Sequence, residues 1–142
     1  MTGQFLDLAA RCGRLGEPCL DGLHRRKTGA LFGAAAEIGA RVAGASPRVL
    51  RLARSYGESL GLAFQILDDL LDGTATEASV GKNVKRDPAA VNFARAHGRE
   101  QATSRARQLL GQALSAAECS GASTRLLTAL PNQLIGILTT PM

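Results

Sequence analysis

Three aspartates, Asp68, Asp69 and Asp72, close the apolar run LGLAFQILDDLLD. In a helix each residue turns by about 100°, so Asp68 and Asp72 project only about 40° apart and form one acidic edge. With Gly73 as the helix stop, all three carboxylates fall in the last turn. There the macrodipole is already negative and disfavours each of them by about 0.3–1 kcal/mol. Three anions placed against the local electrostatics need a compensating cation, and hard divalent ions accept oxygen ligands in this arrangement. Magnesium suits it best, because it takes one or two carboxylates, keeps waters and completes its octahedron with substrate phosphates. Aspartates that merely solvate a helix end are the alternative. The flanks favour the metal: Phe64 and Gln65 precede the cluster, and Gly81-Lys82 follow after a loop that can fold the lysine back toward bound anions. A Walker-type phosphate loop does not fit, since Asn83 follows Lys82 where Ser or Thr belongs.

The elements that must position these groups read as helices almost throughout, with Gly and Pro as punctuation and no run of alternating β-branched residues. The fold class is all-α, a helical bundle in a single domain over residues 1–142. The clearest helix starts at Ser46-Pro47 and runs to Asp72, with Val49, Leu52, Ala53, Tyr56, Leu60, Ala63, Phe64, Leu67 and Leu71 as a core-facing stripe. Phe64 is read as core. A second helix is expected from Leu20 to Ala43, ending at Gly44, with Leu23, Lys27, Leu31, Ala34, Ala35 and Ile38 near one face. Gln4–Cys12 form a short first helix, Arg99–Ala117 a long one, and Thr124–Leu138 a last one interrupted or kinked at Pro131. The polar stretch between Gly73 and His97 is expected to be helix-poor at first, and loops this long are usually functional or mobile.

The chain carries 17 Lys+Arg against 12 Asp+Glu, a net charge of +5. The absence of Trp, with one Tyr and four Phe, leaves few stacking platforms, so no nucleic acid is expected as partner. The charge is local instead: Arg25, Arg26 and Lys27 form one cluster and Lys82, Lys85 and Arg86 another, and clusters of this size suit phosphate groups. No apolar run is long enough to span a membrane, and no basic-then-apolar leader pattern opens the sequence, so a cytoplasmic location is expected. Cys12, Cys19 and Cys119 are an odd, scattered set that fits neither a disulfide framework nor a zinc site, and are read as reduced thiols. His24 and His97 lack ligand-like spacing and are read as structural.

Four short motifs stand in order. Gly3-Gln4 with Asp7 looks like GQxxD, and Lys27-Thr28-Gly29-Ala30-Leu31 like KTGAL. Gly61 to Asp72 looks like an FQxxDDxxD segment, and Gly81-Lys82 with Asp87 like GKxxxxD. Together they resemble the trans-prenyltransferases, the polyprenyl diphosphate synthase family that includes farnesyl and geranylgeranyl diphosphate synthases. The resemblance covers essentially residues 1–140 and only the C-terminal half of the family's length. It implies the C-terminal half of an isoprenoid-synthase-type fold and Mg2+-dependent prenyl transfer between an allylic diphosphate and isopentenyl diphosphate. Carried onto this sequence, Lys27, Thr28, Gln65 and Lys82 would hold the allylic diphosphate, and Asp68, Asp69 and Asp72 would ligate magnesium. Lys27, Asp68 and Lys82 would be the catalytic groups. Metal ions and lysines would stabilise the departing diphosphate, which is electrostatic catalysis without a protein nucleophile.

The family's first aspartate-rich motif is not found in these residues, and Pro88 to Phe93 contain no lysine where the family has a further Gly-Lys-x-Thr contact. The resemblance therefore implies a fragment or half-enzyme that carries one of two metal-binding walls. Its expected partner is a complementing N-terminal half or further copies of the chain. The alternative is a non-catalytic helical subunit that associates with a prenyl synthase.

Overall fold

The computed structural model describes residues 28–78, 97–121 and 125–139, the stretch 72–78 by its backbone alone. Four helices follow one another: α1 (Ala30–Val42), α2 (Pro47–Ala78), α3 (Arg99–Cys119) and α4 (Arg125–Thr139). No strand occurs among the described residues, as an all-α fold requires. The expected helix at Gln4–Cys12, the first part of the Leu20–Ala43 helix and most of the Gly73–His97 stretch lie outside the described residues.

The turn between α1 and α2 is built as the local chemistry dictates. Gly44 takes φ +71°, Ala45 N–H donates to the Ala40 carbonyl at 3.0 Å and Gly44 N–H to the Arg41 carbonyl at 3.0 Å. That is the Schellman pattern, and glycine meets its left-handed residue without a Cβ clash. Ser46 then caps α2, its Oγ accepting from Val49 N–H at 3.4 Å, with Pro47 in the first helical position.

Helix α2 is the central element, packed against α1 and α3, while α4 packs on α3. Its 32 residues pass through Gly73 rather than stopping there. A helical glycine costs only about 1 kcal/mol relative to alanine, too little to end a helix that no cap motif interrupts. The aspartates thus sit inside the helix, Asp69 about two and a half turns before its end at Ala78, and the macrodipole argument for opposing electrostatics does not apply to them.

The buried arc of α2 is wider than one stripe because neighbours flank it on two sides. Leu62, Ile66 and Leu70 join Tyr56, Leu60, Ala63 and Leu67 in the core, while Phe64 and Leu71 are 47% and 45% exposed. Phe64 is therefore not a core residue. From α3, Ala102, Ala106, Leu109, Leu110, Ala113 and Ala117 fill the opposite side. The close approach of α1 and α2 depends on glycines: a Cβ on Gly57 would collide with the carbonyl of Phe32, and one on Gly61 would lie 3.1 Å from the Thr28 carbonyl. Phe32 is the large side chain of α1 that packs against the core, whereas Leu31 and Ile38 are 69% and 60% exposed rather than facing it.

Helix α4 continues through Pro131, which is fully buried. A proline removes the donor for the carbonyl four residues earlier. That carbonyl belongs to Leu127, and the Tyr56 hydroxyl supplies it with a hydrogen bond of 2.8 Å. The expected interruption is avoided because a side chain from α2 replaces the missing amide.

Candidate functional site

Two elements meet where the sequence motifs converge. Thr28 and Gly29 form a wider, π-type turn leading into α1, and α2 passes beside it at Gly61 and Gln65. Turns of this kind are frequent at functional sites. Here Thr28 Oγ1 donates to Gln65 Oε1 at 3.1 Å, and Gln65 Nε2 donates to Asp69 Oδ1 at 3.4 Å. The first bond joins residues 37 positions apart; the second follows the i, i+4 geometry of a helix.

The adjacent aspartates point differently, as a rotation of about 100° per residue demands. Asp69 is only 7% exposed and turns toward Gln65, whereas Asp68 is exposed. Phe64, Asp68 and Leu71 share an open face of α2, and the Phe64 ring stacks on Phe32 with centroids 6.0 Å apart at an interplanar angle of 29°. The backbone stays helical through residue 72, so Asp72 keeps its i+4 register to Asp68. The side chain of Asp72, and Lys27, Lys82, Gln4 and Asp7 entirely, lie outside the described residues.

Among the described residues no three His, Cys, Asp or Glu side chains gather into a metal-holding group. The carboxylate oxygens of Asp68, exposed, and Asp69, turned inward, are donors of the hard type that a hard divalent cation takes. Magnesium needs no more than one or two carboxylates when waters and phosphate oxygens complete its shell.

Sequence reasoning singled out Thr28, Gln65 and Asp69 separately, but the hydrogen-bonded line joining them went unread. Its only local signal was the i, i+4 spacing of Gln65 and Asp69. The pairing of Thr28 with Gln65 depends on the glycine-mediated crossing of two helices. The same holds for Glu37, which sequence inspection passed over. Its carboxylate bridges Arg41 at 2.9 Å and Arg54 at 3.0 Å, and Arg54 also pairs with Glu58 at 2.9 Å. Hydrogen bonds from Arg41 and Arg54 hold the Glu37 carboxyl below its ordinary range. This network is exposed and sits on the α1–α2 seam, away from the aspartates.

His97 is exposed, and Cys119 is an exposed free thiol. No described helix is long and apolar enough to cross a membrane.

Residues 1–129 match the family described as polyprenyl synthetase. The chain is 40% identical over 114 residues to farnesyl diphosphate synthase of Escherichia coli, covering 78% of this chain and 38% of that protein. It is 52% identical over 62 residues to geranylgeranyl diphosphate synthase of Sulfolobus acidocaldarius, covering 44% and 19%. Among solved structures it is similar to the geranyltransferase of Helicobacter pylori complexed with magnesium and isoprenyl diphosphate. That likeness has a TM-score of 0.70 and 30% identity, and covers 96% of this chain and 46% of the other. The chain spans less than half the length of each of these relatives.

Proposed function

The chain belongs to the polyprenyl synthetase family, and from that premise we propose that it supplies a diphosphate- and magnesium-binding wall of a prenyl-transferring site. The observation that carries this reading is the line Thr28–Gln65–Asp69 together with the exposed carboxylate of Asp68, the next residue along α2. Asp68, Asp69 and Asp72 are the proposed metal ligands. Lys27 and Lys82 are the cations proposed to hold the diphosphate, with Thr28 and Gln65 as the polar floor beneath it.

Magnesium, when bound, would neutralise charge on the diphosphate as it departs. The substrates are an allylic diphosphate and isopentenyl diphosphate. The allylic carbon–oxygen bond breaks with its electron pair leaving on the diphosphate, the double bond of isopentenyl diphosphate forms the new carbon–carbon bond, and a proton is lost. The lysines act as fixed positive charge where negative charge develops. The exposed face bearing Phe64 and Leu71 offers apolar surface next to the carboxylates, suited to a hydrocarbon tail. A second carboxylate wall is needed to complete the site, and it would come from polypeptide equivalent to the rest of the relatives' length.

The test is calorimetric titration of the chain with pyrophosphate, with and without Mg2+. Tighter binding with the metal, lost in Asp68→Ala, supports the reading; equal binding in both conditions overturns it. Turnover is then assayed with both diphosphates after addition of an N-terminal half bearing the first aspartate-rich motif. Product only in the mixture supports a half-site. No product with a well-folded second half favours a non-catalytic subunit.

A further inference from the structure

We propose that the apolar cavity where the four described helices meet is a ligand site for an uncharged hydrocarbon, separate from the aspartates and independent of the reading given for them. It measures about 350 Å³. Its walls include Gly39 and Ala40 of α1, Val49 and Leu52 of α2, Ala117 of α3 and Leu127 of α4. From Val49 to Asp68 is about 29 Å along α2 at about 1.5 Å per residue, so the cavity lies toward the opposite end of that helix from the carboxylates.

The chemistry of the occupant follows from the polar atoms at the wall. Two hydroxyls line it, those of Tyr56 and Ser120, and both protons are already engaged. The Tyr56 hydroxyl donates to the Leu127 carbonyl at 2.8 Å, and Ser120 Oγ donates to the Ala117 carbonyl at 2.6 Å. The carbonyls at the end of α1 are taken as well: Gly39 accepts from Ala43 N–H at 3.1 Å and Ala40 from Ala45 N–H at 3.0 Å. These groups leave no donor facing the space. A phosphate or carboxylate would lose its hydration there with nothing in exchange, and so would the carbonyls of an entering peptide segment. Water is poorly served too, since a buried water is held by about three hydrogen bonds.

A hydrocarbon needs no such partner. It gains contact with the Ala, Val and Leu surface, and a dry cavity of about 150 Å³ is enough to hold benzene. On that scale the present cavity has room for a chain of about ten carbons. The space exists because Gly39, Ala40 and Ala117 stand where larger side chains would close it.

The probe is toluene, added to the full chain and followed by NMR through contacts to the Tyr56 ring and to the Val49 and Leu52 methyl groups. Toluene should bind there, and benzoate, a ring of the same size bearing a carboxylate, should bind about tenfold more weakly or worse. A Cβ built on Gly39 meets nothing within 4 Å, so Gly39→Leu extends into the cavity without a backbone clash and should lower toluene affinity about tenfold. Gly39→Ala leaves most of the space and should keep the site, which separates filling from misfolding. Pyrophosphate with Mg2+ should leave toluene binding unchanged, so failure of the metal reading would not touch this one. Competition by pyrophosphate, toluene contacts confined to Phe64 and Leu71, equal affinity for benzoate, or undiminished binding by Gly39→Leu would each overturn the proposal. So would contacts to Val49 from a segment outside the wall, or a toluene affinity that falls as protein concentration rises, because the protein itself would then fill the cavity.

Discussion

The Leu127 carbonyl, which Pro131 deprives of its helical donor, takes a 2.8 Å hydrogen bond from the hydroxyl of Tyr56. This one contact lets α4 keep a buried proline and fastens it to the middle of α2. Removing the hydroxyl in Tyr56→Phe should cost about 1–3 kcal/mol, because a part-buried acceptor is left unsatisfied. In a Pro131→Ala background the restored amide can serve Leu127, so the same substitution should cost less. Denaturant unfolding of the four proteins measures that coupling, and strict additivity would show that the two residues are independent.

Tyr56 is the chain's single tyrosine, so its ionisation can be followed directly by absorbance. Burial pushes its phenol above the ordinary value of 10.0. The folded state then holds its proton more tightly than the unfolded one, and the contribution to stability is present below pH 10.0 and lost as pH rises through the folded value. The absorbance midpoint should lie above that of a free tyrosine and move toward it in denaturant. Identical midpoints would contradict the burial of this ring.

Glycines at the helix crossing and on the surface should respond oppositely to alanine. Gly57→Ala drives a methyl group into the Phe32 carbonyl and should destabilise by about 1–3 kcal/mol while separating α1 from α2. Gly111 is exposed in α3 with nothing near its Cβ position, and Gly111→Ala should stabilise by about 0.5–1 kcal/mol. Thermal melts of both variants check the pair of signs.

The two adjacent aspartates should separate stability from binding. Asp68→Asn, on the open face, should leave the melting temperature nearly unchanged and reduce magnesium-dependent pyrophosphate binding. Asp69→Ala should reduce binding and also destabilise by about 1–3 kcal/mol, since the Gln65 amide loses its acceptor. Equal effects on stability would contradict the inward and outward placement.

Acid should act through Glu37. With its carboxyl held below the ordinary 4.5 by Arg41 and Arg54, its contribution is present above pH 4.5 and lost as pH falls through the folded value. Glu37→Gln should flatten that part of the stability–pH curve, and added salt should shrink the difference because the network is exposed. Parallel curves for the two proteins would rule Glu37 out as a source of the acid limb.

Local chemistry and short motifs determined a good deal by themselves. The Ser46-Pro47 start, the Gly44 turn and the long α3 follow from caps, φ preferences and helical period, all of which act within a few residues. The motif at Gly61–Asp72 located the aspartates and, with its companions, the family. What the tertiary structure decided depends on contacts between distant residues. Phe64 of α2 faces outward, as do Leu31 and Ile38 of α1, because helices flanking α2 on two sides set the buried arc. Pro131 leaves α4 whole because Tyr56, 71 positions from Leu127, replaces the missing donor. The separate fates of Asp68 and Asp69 follow the same logic: the helix sets the angle between them, and the packing around α2 buries Asp69 beside Gln65 and leaves Asp68 open.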